Sequence, residues 1–249
     1  MKIVYSGSCD PGLKREVNQD SIVMFFEPKN QVALFAVADG MGGHSHGEQA
    51  SHWISSGLKK WMDVFSPERY ECSFAKMMRA LQDKLEELNK EIFFQYNQNQ
   101  VCGTTCVLLF IYRDSYGVIN VGDSRAYHKQ GRKVRVLTVD DVWENQRSIR
   151  EHFSEREIAV HPNRGKLVQA MGTKEKIALS VKTDSLHQEE VFLLCSDGLY
   201  KYCPEKYYKK TVKGLSEKNM EEAAKKLMAK VYENGAGDNA SFILIKYIR

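Results

Sequence analysis

Proline is scarce in this chain, five in 249 residues, and no tract rich in Pro, Gly or Ser interrupts it. No internal repeat, low-complexity segment or break in composition marks a linker. No apolar run approaches the roughly 18 residues needed to cross a membrane. The start, Met1-Lys2-Ile3-Val4-Tyr5-Ser6, moves straight into polar residues without the apolar stretch of an export signal. The expectation is a cytoplasmic chain that nothing exports or anchors. Charge of one sign is also missing: 36 Lys and Arg face 32 Asp and Glu, a net charge of +4. So small an excess argues against nucleic acid or a membrane surface as partner. The densest basic cluster, Lys206 to Lys213, reads as a solvated surface segment. Six cysteines (Cys9, Cys72, Cys102, Cys106, Cys195, Cys203) form no CxxC pair, and most lie in apolar runs, so reduced buried thiols are expected rather than a disulfide framework.

What is present is an ordinary globular composition, 43% hydrophobic and 27% charged, enough for a sizeable core. Strands are expected at Ile3–Ser8, Ser21–Phe26 and Val32–Ala38, with Pro28-Lys29-Asn30 as a break. Two helices follow. Ala50, Ile54, Leu58 and Trp61 recur at helical spacing, as do Met77, Leu81, Leu85, Leu88 and Ile92, and Pro67 separates the two stripes. Their tryptophans and methionines are read as core. Strands resume at Thr104–Tyr112, Tyr116–Val121, Ala126–Lys129 and Val134–Thr138, then at Ile177–Lys182 and Glu190–Cys195. A helix over Met220–Val231 and a strand over Ser241–Tyr247 close the chain. The polar stretch Asp140–Arg164 interrupts this order and reads as a short-helix insertion or flap. Without regular βαβ alternation, an α+β layered fold with antiparallel sheets fits best.

Four times an aspartate beside a small residue stands at the end of an apolar run: Val37-Ala38-Asp39-Gly40, Val121-Gly122-Asp123-Ser124 and Cys195-Ser196-Asp197-Gly198 after the run, and Gly237-Asp238-Asn239-Ala240 before Ser241-Phe242-Ile243-Leu244. Each alone is a plausible turn, since Asp and Gly favour turns by local hydrogen bonding and positive φ. Together they suggest one acidic site. A carboxylate at the mouth of a buried strand is penalised unless a cation, a counter-charge or several donors compensate it. Several in one place repel one another as well, and hard divalent cations, which prefer oxygen ligands, remove that repulsion. Near the N-terminus, Arg15 and Asp20 add a guanidinium and another carboxylate, and arginine is suited to clamp a phosphate.

At this point a resemblance becomes specific. Asn18-Gln19-Asp20, Ala38-Asp39-Gly40-Met41-Gly42-Gly43-His44, Gly47-Glu48-Gln49-Ala50-Ser51, Gly103-Thr104-Thr105, Val121-Gly122-Asp123-Ser124-Arg125, His161-Pro162, Ser196-Asp197-Gly198 and Asp238-Asn239 stand in the order seen in metal-dependent protein phosphatases of type 2C, in their bacterial form. The chain resembles that family over nearly its whole length. The resemblance implies a single catalytic domain over residues 1–249, a four-layer α-β-β-α sandwich of two antiparallel sheets flanked by helices, with a flap at about 140–165. It implies two Mn²⁺ or Mg²⁺ ions: Asp39 bridging them, Asp20 and the Gly40 carbonyl serving one, Asp197 and Asp238 the other. Asp123 with Asp197 matches a third, looser metal position, and Arg15 matches the phosphate-binding arginine. It further implies phosphorylated protein substrates made by a cognate Ser/Thr kinase, a chain acting as a monomer, and direct in-line attack by a water that the two cations activate.

Some positions depart from the family pattern. Gln19 is neutral where many relatives carry a carboxylate. Met41 stands where animal members place a histidine, so any proton for the leaving group must come from elsewhere. Asp141 replaces the histidine of the family's threonine-x-aspartate-histidine stretch. His44 and His46 are read as polar residues at a helix start rather than ligands, and Cys195 as a buried strand residue rather than a nucleophile. Two other readings remain at this stage: a catalytically silent member that binds phosphoproteins, and the same chemistry on a non-protein phosphoester.

Overall fold

The computed structural model describes residues 1–42, 46–96 and 102–249. Its strands are β1 (Lys2–Asp10), β2 (Asp20–Glu27), β3 (Val32–Gly42), β4 (Cys102–Thr104), β5 (Cys106–Tyr112), β6 (Ser115–Val121), β7 (Arg125–Gln130), β8 (Lys133–Val136), β9 (Ser180–Ser185), β10 (Glu189–Cys195) and β11 (Ala240–Ile248). The α-helices are α1 (His46–Asp63), α2 (Phe74–Tyr96), α3 (Arg147–His152), α4 (Glu155–Val160), α5 (Asp197–Tyr202), α6 (Glu205–Lys213) and α7 (Met220–Glu233). One antiparallel sheet runs β1-β11-β10-β7-β8. The other runs β2-β3-β5-β6-β9, with β4 paired to β3.

The side-chain period of two along each strand builds three apolar layers. Ala33, Phe35 and Val37 of β3 pack with Val107, Leu109 and Ile111 of β5, and with Phe192, Leu194, Ile243 and Ile245, between the sheets. Leu34, Ala36 and Ala38 of β3 and Leu108 and Phe110 of β5 point the other way, into Ile54, Leu58, Leu81, Leu85 and Ile92 of α1 and α2. On the far side, Val191, Leu193, Phe242 and Leu244 meet Leu199, Val212, Leu227 and Val231 of α5 to α7. Central strands buried on both faces have no polar side to alternate with, which is why β3, β5, β10 and β11 read as continuous apolar runs. The result is the expected four-layer sandwich. Its helical tryptophans and methionines pack on or in the core.

Several boundaries differ from the sequence reading. Lys206–Lys213 is not simply a solvated segment: it lies in α6, which buries Tyr208 and Val212 against the sheet while its lysines face outward. The edge strand expected at Ile177–Lys182 begins three residues later, at Ser180, because β9 is almost entirely exposed and carries little apolar signal. The single strand expected over Thr104–Tyr112 breaks at Thr105, whose N–H donates to the Asp39 carbonyl at 2.8 Å. Of the cysteines, Cys102, Cys106, Cys195 and Cys203 are buried free thiols, but Cys9 and Cys72 are exposed.

Residues 140–165 hold α3 and α4. A Ser154–Glu157 capping box starts α4: the Ser154 Oγ accepts from the Glu157 N–H while the Glu157 carboxylate accepts from the Ser154 N–H. Trp143 stacks on His161 at 3.9 Å between centroids, with Phe153 edge-on to both, forming a small aromatic core of their own. The base is a short two-stranded contact in which Trp143 N–H donates to the Lys166 carbonyl and Val168 N–H to the Asp141 carbonyl, both at 2.9 Å.

Candidate active site

Three strand ends and two turns bring the acidic residues to one edge of the sandwich. Asp20 opens β2 and Asp39 lies near the end of β3, directly opposite each other in the antiparallel register. Like charges so placed repel, and only an external constraint keeps them together. That constraint is the pattern of contacts around them. Asp39 N–H donates to Thr105 Oγ1 at 3.1 Å, and Thr105 Oγ1 pairs at 2.7 Å with Ser124 Oγ, next to Asp123. Ser196 Oγ donates to Asp20 Oδ2 at 2.9 Å and accepts from Ser241 N–H at 2.9 Å, tying β10 and β11 to β2. Asn239 accepts from Gln19 N–H at 2.9 Å and donates to the Pro11 and Val17 carbonyls, so it fastens the loop that carries Arg15.

Two glycines make the close approach sterically possible. A Cβ on Gly40 would lie 2.2 Å from the Gly47 carbonyl oxygen, and one on Gly198 would lie 1.9 Å from that of Asn239. Asp141 anchors the Asp123 turn: its Oδ2 accepts from Gly122 N–H at 2.9 Å and from Gln169 at 3.1 Å, while its N–H donates to the Gly122 carbonyl at 3.0 Å. Beside it, Asp140 holds Arg125 bidentately at 2.7–3.1 Å. The Arg125 guanidinium lies 3.7 Å over the Tyr200 ring, and Tyr200 OH donates to the Asp123 carbonyl at 3.1 Å.

The cleft at this edge has a volume of about 260 Å³, and Arg15, Asp39, Gly40, Asp123, Asp197 and Asp238 all lie in its walls, with Met41 and Leu167 beside them. Asp20 sits just behind it, 7% exposed. All seven residues singled out in the sequence therefore meet at one place. A larger cavity of about 590 Å³ lies between α1 and α2, lined by Trp53, Trp61, Leu88 and mixed charges; it holds none of these residues. His44 and the side chain of His46 lie outside the described residues. Cys195 is fully buried, and burial pushes its thiol far above the ordinary range, which suits a packed strand residue and not a nucleophile.

The electrostatics are those of carboxylates crowded out of water. Burial, reinforced by repulsion from Asp197 and Asp238, raises Asp20 to about 7 despite the hydrogen bond from Ser196. Burial and then the charges of Asp20, Asp197, Asp123 and Asp238 push Asp39 well above the carboxylate range. Burial, and next Asp197, raises Asp123 to about 6. Asp20 Oδ1 is buried with no hydrogen-bond partner. Two of the five carboxylates engage cations of the chain itself: Asp238 Oδ1 pairs with Arg15 Nε at 2.9 Å, and Asp197 Oδ2 pairs with Lys201 Nζ. Among the described residues no three His, Cys, Asp or Glu side chains close a coordination shell by themselves. The donor set nevertheless suits a hard divalent cation, being all oxygen, repelled toward protonation and, in Asp20, left with an unpaired buried oxygen. Asp20, Asp39, the Gly40 carbonyl, Asp197 and Asp238 are the groups that could hold such ions, with Asp123 at the side of the cleft.

The profile of the protein phosphatase 2C family matches residues 14–236. The chain belongs to that family. The serine/threonine phosphatase stp of Listeria monocytogenes is 29% identical to it over 245 residues, spanning 95% of this chain and 93% of the relative. A crystal structure of a bacterial serine phosphatase superposes with a TM-score of 0.85 at 27% identity, covering 98% of each chain. That of the serine/threonine phosphatase Stp1 from Staphylococcus aureus gives 0.85 at 26% identity, covering all of this chain and 96% of the other. The type 2C family is metal-dependent, which agrees with an all-oxygen cleft that carries more negative charge than its own cations offset.

The sequence pattern shows the aspartates because Asp39, Asp123 and Asp197 end apolar runs, whereas Asp238 and Asp20 precede them, Asp20 standing close to Arg15. The contacts of Thr105, Ser196, Asn239, Tyr200 and Lys201 were not legible, since they join segments distant in sequence. A hydroxyl or amide after an apolar strand carries no signal of what it will meet.

Proposed function

We propose that the chain is a metal-dependent protein serine/threonine phosphatase that hydrolyses phosphoserine and phosphothreonine. The observation that carries this reading is the convergence of five carboxylates on one cleft with a single arginine, Arg15, in its wall. Two Mn²⁺ or Mg²⁺ ions, with a third and looser one, would supply Lewis acidity to the phosphoryl group and activate the attacking water. Asp39 would serve both ions and orient that water; Asp20 and the Gly40 carbonyl would serve one ion and Asp197 and Asp238 the other. Asp123 serves the looser one with Asp197.

Arg15 clamps the phosphoryl oxygens, for which its planar guanidinium is suited. Its pairing with Asp238 keeps it folded over the cleft wall and within reach. Met41 lines the cleft but has no proton to give, so it does not act as an acid. Residues 1–249 act as one catalytic domain, and the segment 140–165 works as a flap whose far end places Leu167 at the cleft and so shapes which phosphorylated proteins enter. The substrates come from a cognate Ser/Thr kinase, and the enzyme acts as a monomer. Six free cysteines favour a reducing compartment, the cytoplasm; no described helix is long and apolar enough to cross a membrane.

Phosphate release from a phosphothreonine peptide, a phosphotyrosine peptide and p-nitrophenyl phosphate, each with Mn²⁺ and with chelator, tests this. Metal-dependent turnover with the phosphothreonine peptide preferred is expected. Turnover of p-nitrophenyl phosphate alone would assign the same chemistry to a non-protein ester, and binding of the peptide without turnover would make the chain a recognition module.

A further inference from the structure

Lys201 has no place in the reading above, yet it reaches the acidic cluster. It lies four residues after Asp197 on α5, so the two side chains share one helix face, and its ammonium pairs with Asp197 Oδ2. Its carrier is held rigidly. Gly198 packs against the Asn239 carbonyl so closely that no Cβ fits. The neighbouring Tyr200 hydroxyl donates to the Asp123 carbonyl at 3.1 Å and lies 3.4 Å from its Oδ2, while the ring is covered by Arg125, itself clamped by Asp140. From consecutive positions, α5 thus delivers the Tyr200 hydroxyl to Asp123 and the Lys201 ammonium to Asp197. These are the two carboxylates of the looser metal position.

We infer that Lys201 is a tethered cation of the site: its ammonium, held on Asp197 beside Asp123, stands in for the third divalent ion, so that the enzyme needs two ions and not three. The inference rests on the metal reading of the cleft and changes only its third position. The charges agree with it. Five carboxylates are balanced by two divalent ions and one ammonium, so the charge of Arg15, which pairs with Asp238, is not needed to neutralise the cluster. A third divalent ion would have to displace Lys201 from Asp197 and meet a positive charge a few ångströms away, where the interaction is only partly screened. Tyr200 and Arg125 act as positioning residues that keep Asp123 and the helix in register.

Equilibrium dialysis of the full-length protein against Mn²⁺, with bound metal counted by elemental analysis, tests this without relying on activity. The wild type is expected to bind two ions, with any third only at high concentration. Lys201→Met is expected to bind a third ion at least about tenfold more tightly than the wild type, because a nearby like charge is gone. Lys201→Arg, which keeps the charge, should behave as the wild type, and its melting temperature controls for folding. Equal third-ion affinity in the wild type and Lys201→Met overturns the inference while leaving the two-ion reading intact, as does weaker third-ion binding in Lys201→Met. A wild type that binds no Mn²⁺ overturns both.

Discussion

At the scale of the residue, the site is a set of carboxylates that neighbours force together against their own repulsion. Asp20 and Asp39 face each other across two strands, and Thr105 and Ser196 fix the backbone and carboxylate that would otherwise swing apart. Arg15 is the most informative single side chain, because its bond to Asp238 allows two roles to be separated. Arg15→Ala is expected to raise KM for a phosphothreonine peptide about tenfold, the usual effect of losing a charge-assisted clamp. Mn²⁺ affinity should not fall, since the substitution also removes a cation that competes for Asp238. An equal loss of metal affinity would make Arg15 a structural counter-ion instead. How far these residues were legible in the sequence follows from their chemistry. An aspartate closing an apolar strand announces itself, because burial without compensation is costly. A serine or asparagine in the same position is compatible with so many local hydrogen bonds that its long-range partner stays hidden.

At the scale of the element, glycines set how closely the pieces that carry the site can meet. Gly198→Ala places a methyl 1.9 Å from the Asn239 carbonyl oxygen, so α5 must move away from the start of β11. Such overpacking typically costs about 1–3 kcal/mol, and here the shift falls between Asp197 and Asp238. Chemical denaturation should show that loss, with Mn²⁺ affinity falling as well; unchanged metal binding would mean that the two carboxylates need not keep their spacing. The same elements show which signals a sequence carries. β3, β5, β10 and β11 are legible because both of their faces are covered, whereas the exposed edge strand β9 starts three residues later than its sequence suggests. α5 and α6 escaped because a six-residue helix makes too few turns for its period to register, and because in α6 the lysines between Tyr208 and Val212 resemble a surface tract. The antiparallel layering survived these errors, since it depends on the buried strands alone.

At the scale of the whole molecule, the crowded cleft trades stability for function, and pH reads the trade. Asp20 titrates near 7 and Asp123 near 6 in the fold, both above the unfolded value of 3.8. Between about pH 4 and pH 7 the native state therefore holds protons that the unfolded chain has released. The metal-free protein loses stability from these groups as pH rises through that window, by on the order of a few kcal/mol in total. In chelator, the melting temperature of Asp20→Asn relative to the wild type should climb between about pH 4 and pH 7, where the native wild type alone keeps a proton that its unfolded chain has released, and level off above. A pH-independent difference would contradict the burial argument. Mn²⁺ should reverse the ranking at the higher pH, because an ion offsets the same repulsion and binding to the native state adds stability. The most direct test of the central claim, that the carboxylates form a cation site serving phosphoester hydrolysis, is a Mn²⁺ titration of phosphate release from a phosphothreonine peptide by the wild type and Asp39→Asn. We expect saturable activation of the wild type, abolished by chelator, and a loss of about 100-fold or more in Asp39→Asn at saturating metal. Turnover that ignores both chelator and Asp39→Asn would contradict the account.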